Sequence, residues 1–380
     1  MTLPALSARR LALATLDRQL LLARRRIDVP EAVRALCALQ AQTPASPYLA
    51  LWNRIEEFAP EDLDAAFADG RVVKASLMRI TLHAVHAEDY PAFHASMVSC
   101  LRASRLYDRR FTDTGLTAAD ADGLLTELTP YLRRARTGAE VEAEVLARLG
   151  EGVERAWWAL RTYAPLHHVP AGGPWSFGHR NTFRAAPKAP EVTAREGARQ
   201  LLLSYLRAFG PATAKDFARF TLLPSSTVKQ AIEDLGETIE PVGGTGRAPL
   251  YDLPGATVPD EDTPVPPRLL PMWDSSLLAH VVPGRFLPAE FRPAAVRRNG
   301  DVLPCLLVDG QVAGVWRSLE GGGLELTAFR KLSAGEWRGL TEEAGCLVTW
   351  LADREPEVYR RYGHWWDKEM PAVETRVVKG

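Results

Sequence analysis

The sequence predicts an α+β fold in which groups of helices end in short antiparallel strand pairs, the winged-helix order, ahead of a strand-rich C-terminal module. Three observations lead there. Between residues 7 and 67 apolar side chains recur at helical spacing, and β-rich runs follow at 72–78 and 80–85. Residues 194–253 repeat the order as a helix, a capped helix-turn-helix and two short strands around a glycine-rich wing. Beyond an acidic, proline-rich stretch at 259–267, alternating apolar runs take over.

Ser7 is placed to cap a first helix that reaches Leu22 through Leu11, Ala12, Leu16 and Leu20. Pro30, favoured in a first helical turn, opens a second through Val33, Leu36, Cys37 and Leu39. Helices at 47–58 and 60–67 precede the strand pair, and another begins near Glu88. Segment 100–111 carries Arg102, Arg105 and Arg109 at i, i+3 and i+7, a basic stripe that fits either a phosphate backbone or a solvated helix face. Helices are expected at 117–134, with Pro130 as a candidate break, at 138–149 and at 154–163. Gly172-Gly173-Pro174-Trp175 and Gly178-His179-Arg180-Asn181 suit a long polar wing. His167-His168 lacks a third ligand at a recognisable spacing, so no metal is expected.

After a proline-rich join at 185–190, helix 194–209 is ended by Gly210-Pro211. Thr213 and Asp216 predict a reciprocal cap on helix 214–220, and a short turn leads to helix 227–235, which exposes Lys229 and Gln230. Strands 237–242 and 250–253 flank a wing that ends in Gly246-Arg247, where glycines permit the positive φ of a tight turn. The last part should hold strands at 268–272, 302–308, 311–317 and 324–331 and a helix at 334–344. Asp309-Gly310 is a two-residue hairpin signal there.

A chain of 380 residues exceeds what one core usually serves, so two to four modules are expected. With 46% hydrophobic and 24% charged residues it reads as an ordinary globular protein rather than a disordered one. A net charge of −1 excludes a chain that is basic overall, so a nucleic-acid site has to be a local patch. Cys37, Cys100, Cys305 and Cys346 are scattered without a Cys-x-x-Cys pair and read as buried free thiols. Arg9 and Arg10 interrupt the N-terminal apolar run, and no run reaches membrane-spanning length, so a cytoplasmic protein without a membrane partner is expected.

The sharpest chemical feature is Leu39-Gln40-Ala41-Gln42-Thr43-Pro44. Side chains at i and i+2 diverge on a helix but share a face of an extended chain, and Pro44 biases Thr43 away from the α region. If the pair is extended, its two amides reach one point. Each supplies an acceptor oxygen and two donor hydrogens, enough together to hold and orient a water. The other reading is two ordinary polar residues at a frayed helix end. On the hairpin, Arg79, Thr81 and His83 alternate onto one face. His83 either meets a phosphate or a leaving base, or is a satisfied structural histidine.

Gln-Ala-Gln, with Ser-Leu-Met-Arg-Ile-Thr-Leu-His-Ala-Val at 76–85, resembles the AlkZ-like, or YcaQ-like, family of bacterial DNA glycosylases. The likeness extends through Trp157-Trp158 to His167-His168 and through Leu269 to His280, nearly the whole chain. The family's members excise alkylated bases and unhook interstrand crosslinks. The double-Gln form is that of the branch protecting producers of DNA-crosslinking natural products. The resemblance implies winged-helix modules at 1–98, 99–188 and 189–258 and a C-terminal β-barrel module at 259–380, together forming an open C-shaped or ring-like DNA-binding cleft. It makes Gln40 and Gln42 the catalytic pair. Trp273, Asp274 and His280 would then lie in or behind the cleft, although core packing and turn capping suit Trp273 and Asp274 equally well.

Hydrolysis of an ordinary glycosidic bond asks for a carboxylate, which the Gln pair lacks. A cationic purine such as N7-alkylguanine leaves readily, so preorganised amides that place a water suffice. No lysine is placed to form a Schiff base, so a monofunctional enzyme without cofactor is expected, acting as a monomer on double-stranded DNA with alkylated or crosslinked bases. The DNA grip is expected from the Arg102 stripe, from Lys229 and Gln230, and from wing residues His179, Arg180 and Arg247. The alternative is a non-enzymatic winged-helix regulator, which would bind a sequence and excise nothing. A scaffold would prefer neither lesion nor sequence.

Overall fold

The computed structural model describes residues 6–178, 180–243, 248–281 and 284–379, so the expected wing residues His179 and Arg247 lie outside the described residues. Ser7 caps the helix Ala8–Arg18 through the Arg10 N–H, and Asp28 caps Val29–Ala35 with Pro30 in its first turn. That helix stops earlier than the periodicity predicts. Cys37 takes a left-handed conformation, φ 65°, and the turn releases the chain into a short strand, β1 (Leu39–Gln40). Helices Ala45–Trp52 and Pro60–Ala68 follow, then β2 (Val72–Ser76) and β3 (Leu82–His86).

Helix Tyr90–Leu106 leads to Ala118–Tyr131, where Pro130 lies in the last turn and ends the helix rather than breaking it. Next come β4 (Arg136–Thr137), helices Gly138–Leu149 and Arg155–Tyr163, β5 (Leu166–His168) and β6 (Thr182–Ala185). These strands join one six-stranded sheet in the order β1-β3-β2-β5-β6-β4, so the first two strand pairs share a sheet through the Lys74–His168 pairing of β2 and β5. No sequence rule announced that fusion, because β4 and β5 are two and three residues long.

The end of the sheet formed by β1, β3 and β2 is buried on both faces. Val72, Ala84 and Leu39 join one core with the N-terminal helices and the C-terminal sheet. Val73, Ala75 and Val85 join a second core with helices Tyr90–Leu106 and Ala194–Phe209. Both cores run across the expected boundaries at 98, 188 and 258. Gly197 lets the latter two helices approach closely, since a Cβ there would collide with the Ala92 carbonyl.

Helices Ala194–Phe209, Ala214–Thr221 and Ser225–Leu235 precede the pair β7 (Glu240–Val242) and β8 (Leu250–Asp252), with the Thr213–Asp216 capping box in place. The C-terminal strands are β9 (Arg268–Leu270), β10 (Cys305–Val308), β11 (Gln311–Ser318), β12 (Leu324–Ala328) and β13 (Glu374–Val378). Asp309 and Gly310, both at positive φ, turn β10 into β11. The expected barrel is corrected here: the sheet is open, in the order β13-β12-β11-β10-β9, and its edge strands β13 and β9 do not pair among the described residues. Helix Ala334–Ala352 buries Trp337, Leu340, Leu347 and Leu351 against it and takes the place of a closing strand. Only Cys37 and Cys305 are fully buried thiols; Cys100 is half-buried and Cys346 exposed, contrary to expectation. No helix among the described residues is long and apolar enough to cross a membrane.

Candidate active site

Gln40 lies on β1 directly opposite His83 of β3, with Ala75 of β2 next in register. All three therefore face the second core. Gln40 is 4% exposed and its amide is held at both ends: Oε1 accepts from the Arg79 guanidinium at 2.6 Å, and Nε2 donates to Thr81 Oγ1 at 3.1 Å. The polarity is fixed by the neighbours. The Thr81 hydroxyl gives its only hydrogen to the Met78 carbonyl, so it must accept from Gln40, and a guanidinium can only donate.

Gln42 differs. Its side chain is exposed, and its oxygen accepts from the Leu82 N–H at 3.4 Å. The two amides thus attach to adjacent residues, Thr81 just before β3 and Leu82 at its start, and only Gln42 reaches solvent freely. Thr43 continues away from the pair by a hydroxyl chain through Ser46 to Tyr359 of the C-terminal part.

Arg79 and Ile80 make the turn between β2 and β3, both in the left-handed region at φ 53° and 59°. Non-glycine residues there cost about 1–3 kcal/mol each and persist where surrounding contacts over-determine them. Here the contacts are those of the Arg79 fork, which also reaches His83 Nε2 at 3.2 Å and the Phe220 carbonyl at 3.1 Å, with Cζ 5.1 Å from the Phe220 ring. Burial, then the charge of Arg219, lowers Arg79 to about 10, so it remains a cation at neutral pH. His83 is fully buried. Burial, then the Arg79 charge, holds it well below the usual imidazole range. Its neutral ring donates from Nδ1 to the Thr81 carbonyl and accepts at Nε2 from Arg79, so neither nitrogen is free for a leaving base. No carboxylate hydrogen-bonds to Gln40, Gln42, Arg79, Thr81 or His83 among the described residues.

A family model described as DNA glycosylase AlkZ-like matches residues 33–350. The chain belongs to the AlkZ-like DNA glycosylase family. It is therefore an enzyme acting on N-glycosyl bonds. The interstrand DNA cross-link repair glycosylase of Streptomyces sahachiroi is 27% identical over 334 residues, 80% of this chain and 86% of that one. The solved structure of Streptomyces sahachiroi DNA glycosylase AlkZ matches with a TM-score of 0.77, covering 93% of this chain and 99% of that chain at 23% identity, a likeness of overall fold.

In this AlkZ-like chain the run from Trp273 to His280 is enclosed rather than open. Trp273 donates to the Gly300 carbonyl and packs against Tyr362. Asp274 is sealed in a two-pronged pair with Arg54, 2.9 Å at each prong, and caps Ser276. Ser275 ties this segment to the Ala38 carbonyl, two residues before Gln40. His280 bonds the Phe209 carbonyl, and burial followed by the Arg285 charge lowers it to about 3.

The basic residues expected to grip DNA are mostly compensated within the protein. Arg102 pairs with Asp122 at 2.6 Å, Arg105 packs over Trp158 and bonds Thr162, and Arg109 lies 3.6 Å from Asp113. Lys229 lies 3.6 Å from Glu233 and Gln230 bonds Asp234, while Arg180 is exposed. Sequence reasoning passed over Lys74, which β2 buries over the Phe177 ring at 4.4 Å and burial lowers to about 8. It neighbours Ala75 in the strand and so faces away from Gln40. Among the described residues no group of three metal-ligating side chains gathers.

Proposed function

We propose that this enzyme is a monofunctional DNA glycosylase that hydrolyses the N-glycosidic bond of cationic alkylated purines such as N7-alkylguanine. We extend this to unhooking interstrand crosslinks, the activity named for the Streptomyces sahachiroi relative, in repair or in self-resistance to a DNA-alkylating natural product. The observation that carries the reading is the Gln pair: one amide locked in a single orientation, the other exposed beside it, with no carboxylate bonded to either.

In this reading Gln42 holds the nucleophilic water through its amide oxygen, and the second Nε2 hydrogen of Gln40 steadies the water or the sugar. The water oxygen bonds to C1′ as the C1′–N9 bond breaks. The bond's electron pair neutralises the cationic base, and the water proton passes to solvent. No general acid is needed, in keeping with the occupied ring of His83. The helix-plus-hairpin units are assigned as winged-helix modules around an open cleft, with the enzyme working as a monomer. Family membership and the fold likeness favour this over a regulator.

The test uses duplexes with a single N7-alkylguanine and, separately, an N7-guanine interstrand crosslink. Abasic sites from both, with no borohydride-trapped adduct, support the full reading. Excision of the monoadduct alone removes the crosslink assignment. Tight sequence-selective binding without excision refutes the enzyme's assignment to these lesions.

A further inference from the structure

Gln40 is locked by Arg79 and Thr81, whereas the bond from Gln42 to the Leu82 N–H is long, at 3.4 Å. The place of Gln42 therefore depends on the backbone to either side of it. Ahead of it, β1 pairs with β3 and the Ala41 N–H donates to the Leu82 carbonyl at 2.8 Å. Beyond it the chain leaves the sheet for helix Ala45–Trp52, and the anchor there is the Thr43 hydroxyl, which bonds the Ser46 hydroxyl at 3.0 Å.

Ser46 in turn bonds the Tyr359 hydroxyl at 3.0 Å, across 313 residues of sequence. All three side chains are buried. Tyr359 is itself well fixed. Its ring packs 6.0 Å from that of Trp316 in β11, and its backbone takes φ 66°, which a bulky residue keeps only where its surroundings over-determine it. Burial holds its phenol well above the usual range, so the hydroxyl stays neutral at working pH. On the other side of the pair, Ser275 donates to the Ala38 carbonyl at 2.9 Å. Among the described residues, these are the side-chain hydrogen bonds that the part beyond residue 259 makes to residues 36–47, and they land on either side of the Gln pair.

We infer that Tyr359 is a positioning residue for Gln42: through Ser46 and Thr43 it fixes the backbone from which Gln42 holds the nucleophilic water. The inference rests on the glycosylase reading above. It makes hydrolysis depend on a hydroxyl of the C-terminal part that touches neither the water nor the sugar. A misplacement of about 1 Å can cost about 10²-fold in rate, so loosening one link of the chain is expected to cost about 10-fold.

The test compares wild type with Tyr359→Phe, Thr43→Val, their double variant and Thr43→Ser. Tyr205→Phe is the control, since it also loses one buried hydroxyl, the donor to the Ala279 carbonyl, away from residues 36–47. Single-turnover excision at saturating enzyme and affinity for the same duplex are measured well below the melting temperature. The expected result is a rate about 10-fold lower in Tyr359→Phe and in Thr43→Val with affinity unchanged, and no further loss in the double variant, because both changes break one chain. Thr43→Ser, which keeps the hydroxyl, and Tyr205→Phe should excise at the wild-type rate. An undiminished rate in Tyr359→Phe overturns the inference, as does an equal loss in Tyr205→Phe or a loss that multiplies in the double variant. Amide hydrogen exchange over residues 39–46 is read on the same samples and should rise in Tyr359→Phe and not in Tyr205→Phe. Unchanged exchange in Tyr359→Phe overturns the inference without reference to activity, whereas a wild type that excises nothing refutes the glycosylase reading separately.

Discussion

Replacing Arg79 with Ala removes the donor that holds the oxygen end of the Gln40 amide and leaves only Thr81 at the other end. The Arg79 bond to Gln40 Oε1, at 2.6 Å and charge-assisted, belongs to a class worth about 1.5–3 kcal/mol. Without it the buried amide can turn over, and its preorganised donor is lost for part or all of the population. Loss of such a donor costs about 2.7–4 kcal/mol in the transition state, or about 10²–10³-fold in rate. The Phe220 carbonyl and His83 Nε2 also lose their donor, at about 1–3 kcal/mol for each group left buried and unpaired. Arg79→Ala should therefore melt earlier, and its single-turnover excision rate, measured well below the melting temperature, should fall about 100-fold while duplex affinity changes little. Arg79→Lys should be nearly as slow, because a point-like ammonium cannot span Gln40, His83 and Phe220 together. A folded Arg79→Ala that excises at the wild-type rate refutes the positioning argument.

Further outcomes follow from the buried charges. Lys74 has a folded-state value of about 8 against an ordinary 10.5, so the unfolded chain binds more protons between those values and stability rises with pH across that window. The penalty of about 3 kcal/mol present below pH 8, partly offset by the Phe177 ring, should vanish in Lys74→Met, which melts higher at pH 7 and loses the alkaline rise; a lower melting temperature contradicts this. His83, His167, His168 and His280 are all depressed, chiefly by burial. Stability should accordingly fall as pH drops below about 6.5, by up to about 1.4 kcal/mol per pH unit for each, and His83→Asn should shallow the slope of melting temperature against pH. Asp274→Asn leaves Arg54 buried without its counter-charge and should cost about 3–5 kcal/mol of stability, with the excision rate of the folded fraction retained; an equally stable, inactive variant would make Asp274 catalytic.

Local chemistry made most elements legible. Ser7, Thr213 with Asp216, and Asp309-Gly310 each act on their immediate neighbours, and each stands where the residue types place it. The extended backbone at Leu39–Gln40 was legible for the same reason, since the bias imposed by Pro44 is a local rule. What the chain could not disclose was long-range. The Lys74–His168 pairing that fuses two strand pairs depends on contacts across more than ninety residues, and the seating of Arg79 on Phe220 depends on more than a hundred. The fates of Arg102 and Arg109 turned on Asp122 and Asp113, whose approach is set by helix packing and a single turn.

The central claim is that Gln40 and Gln42 perform the hydrolysis, and it is tested most directly by single-turnover excision of N7-alkylguanine from a duplex by wild type, Gln40→Ala and Gln42→Ala, with affinity for the same duplex measured alongside. The account predicts abasic-site formation by wild type and a loss of about 10²-fold or more in each variant with binding intact. Undiminished excision in both variants, with DNA still bound, would contradict it.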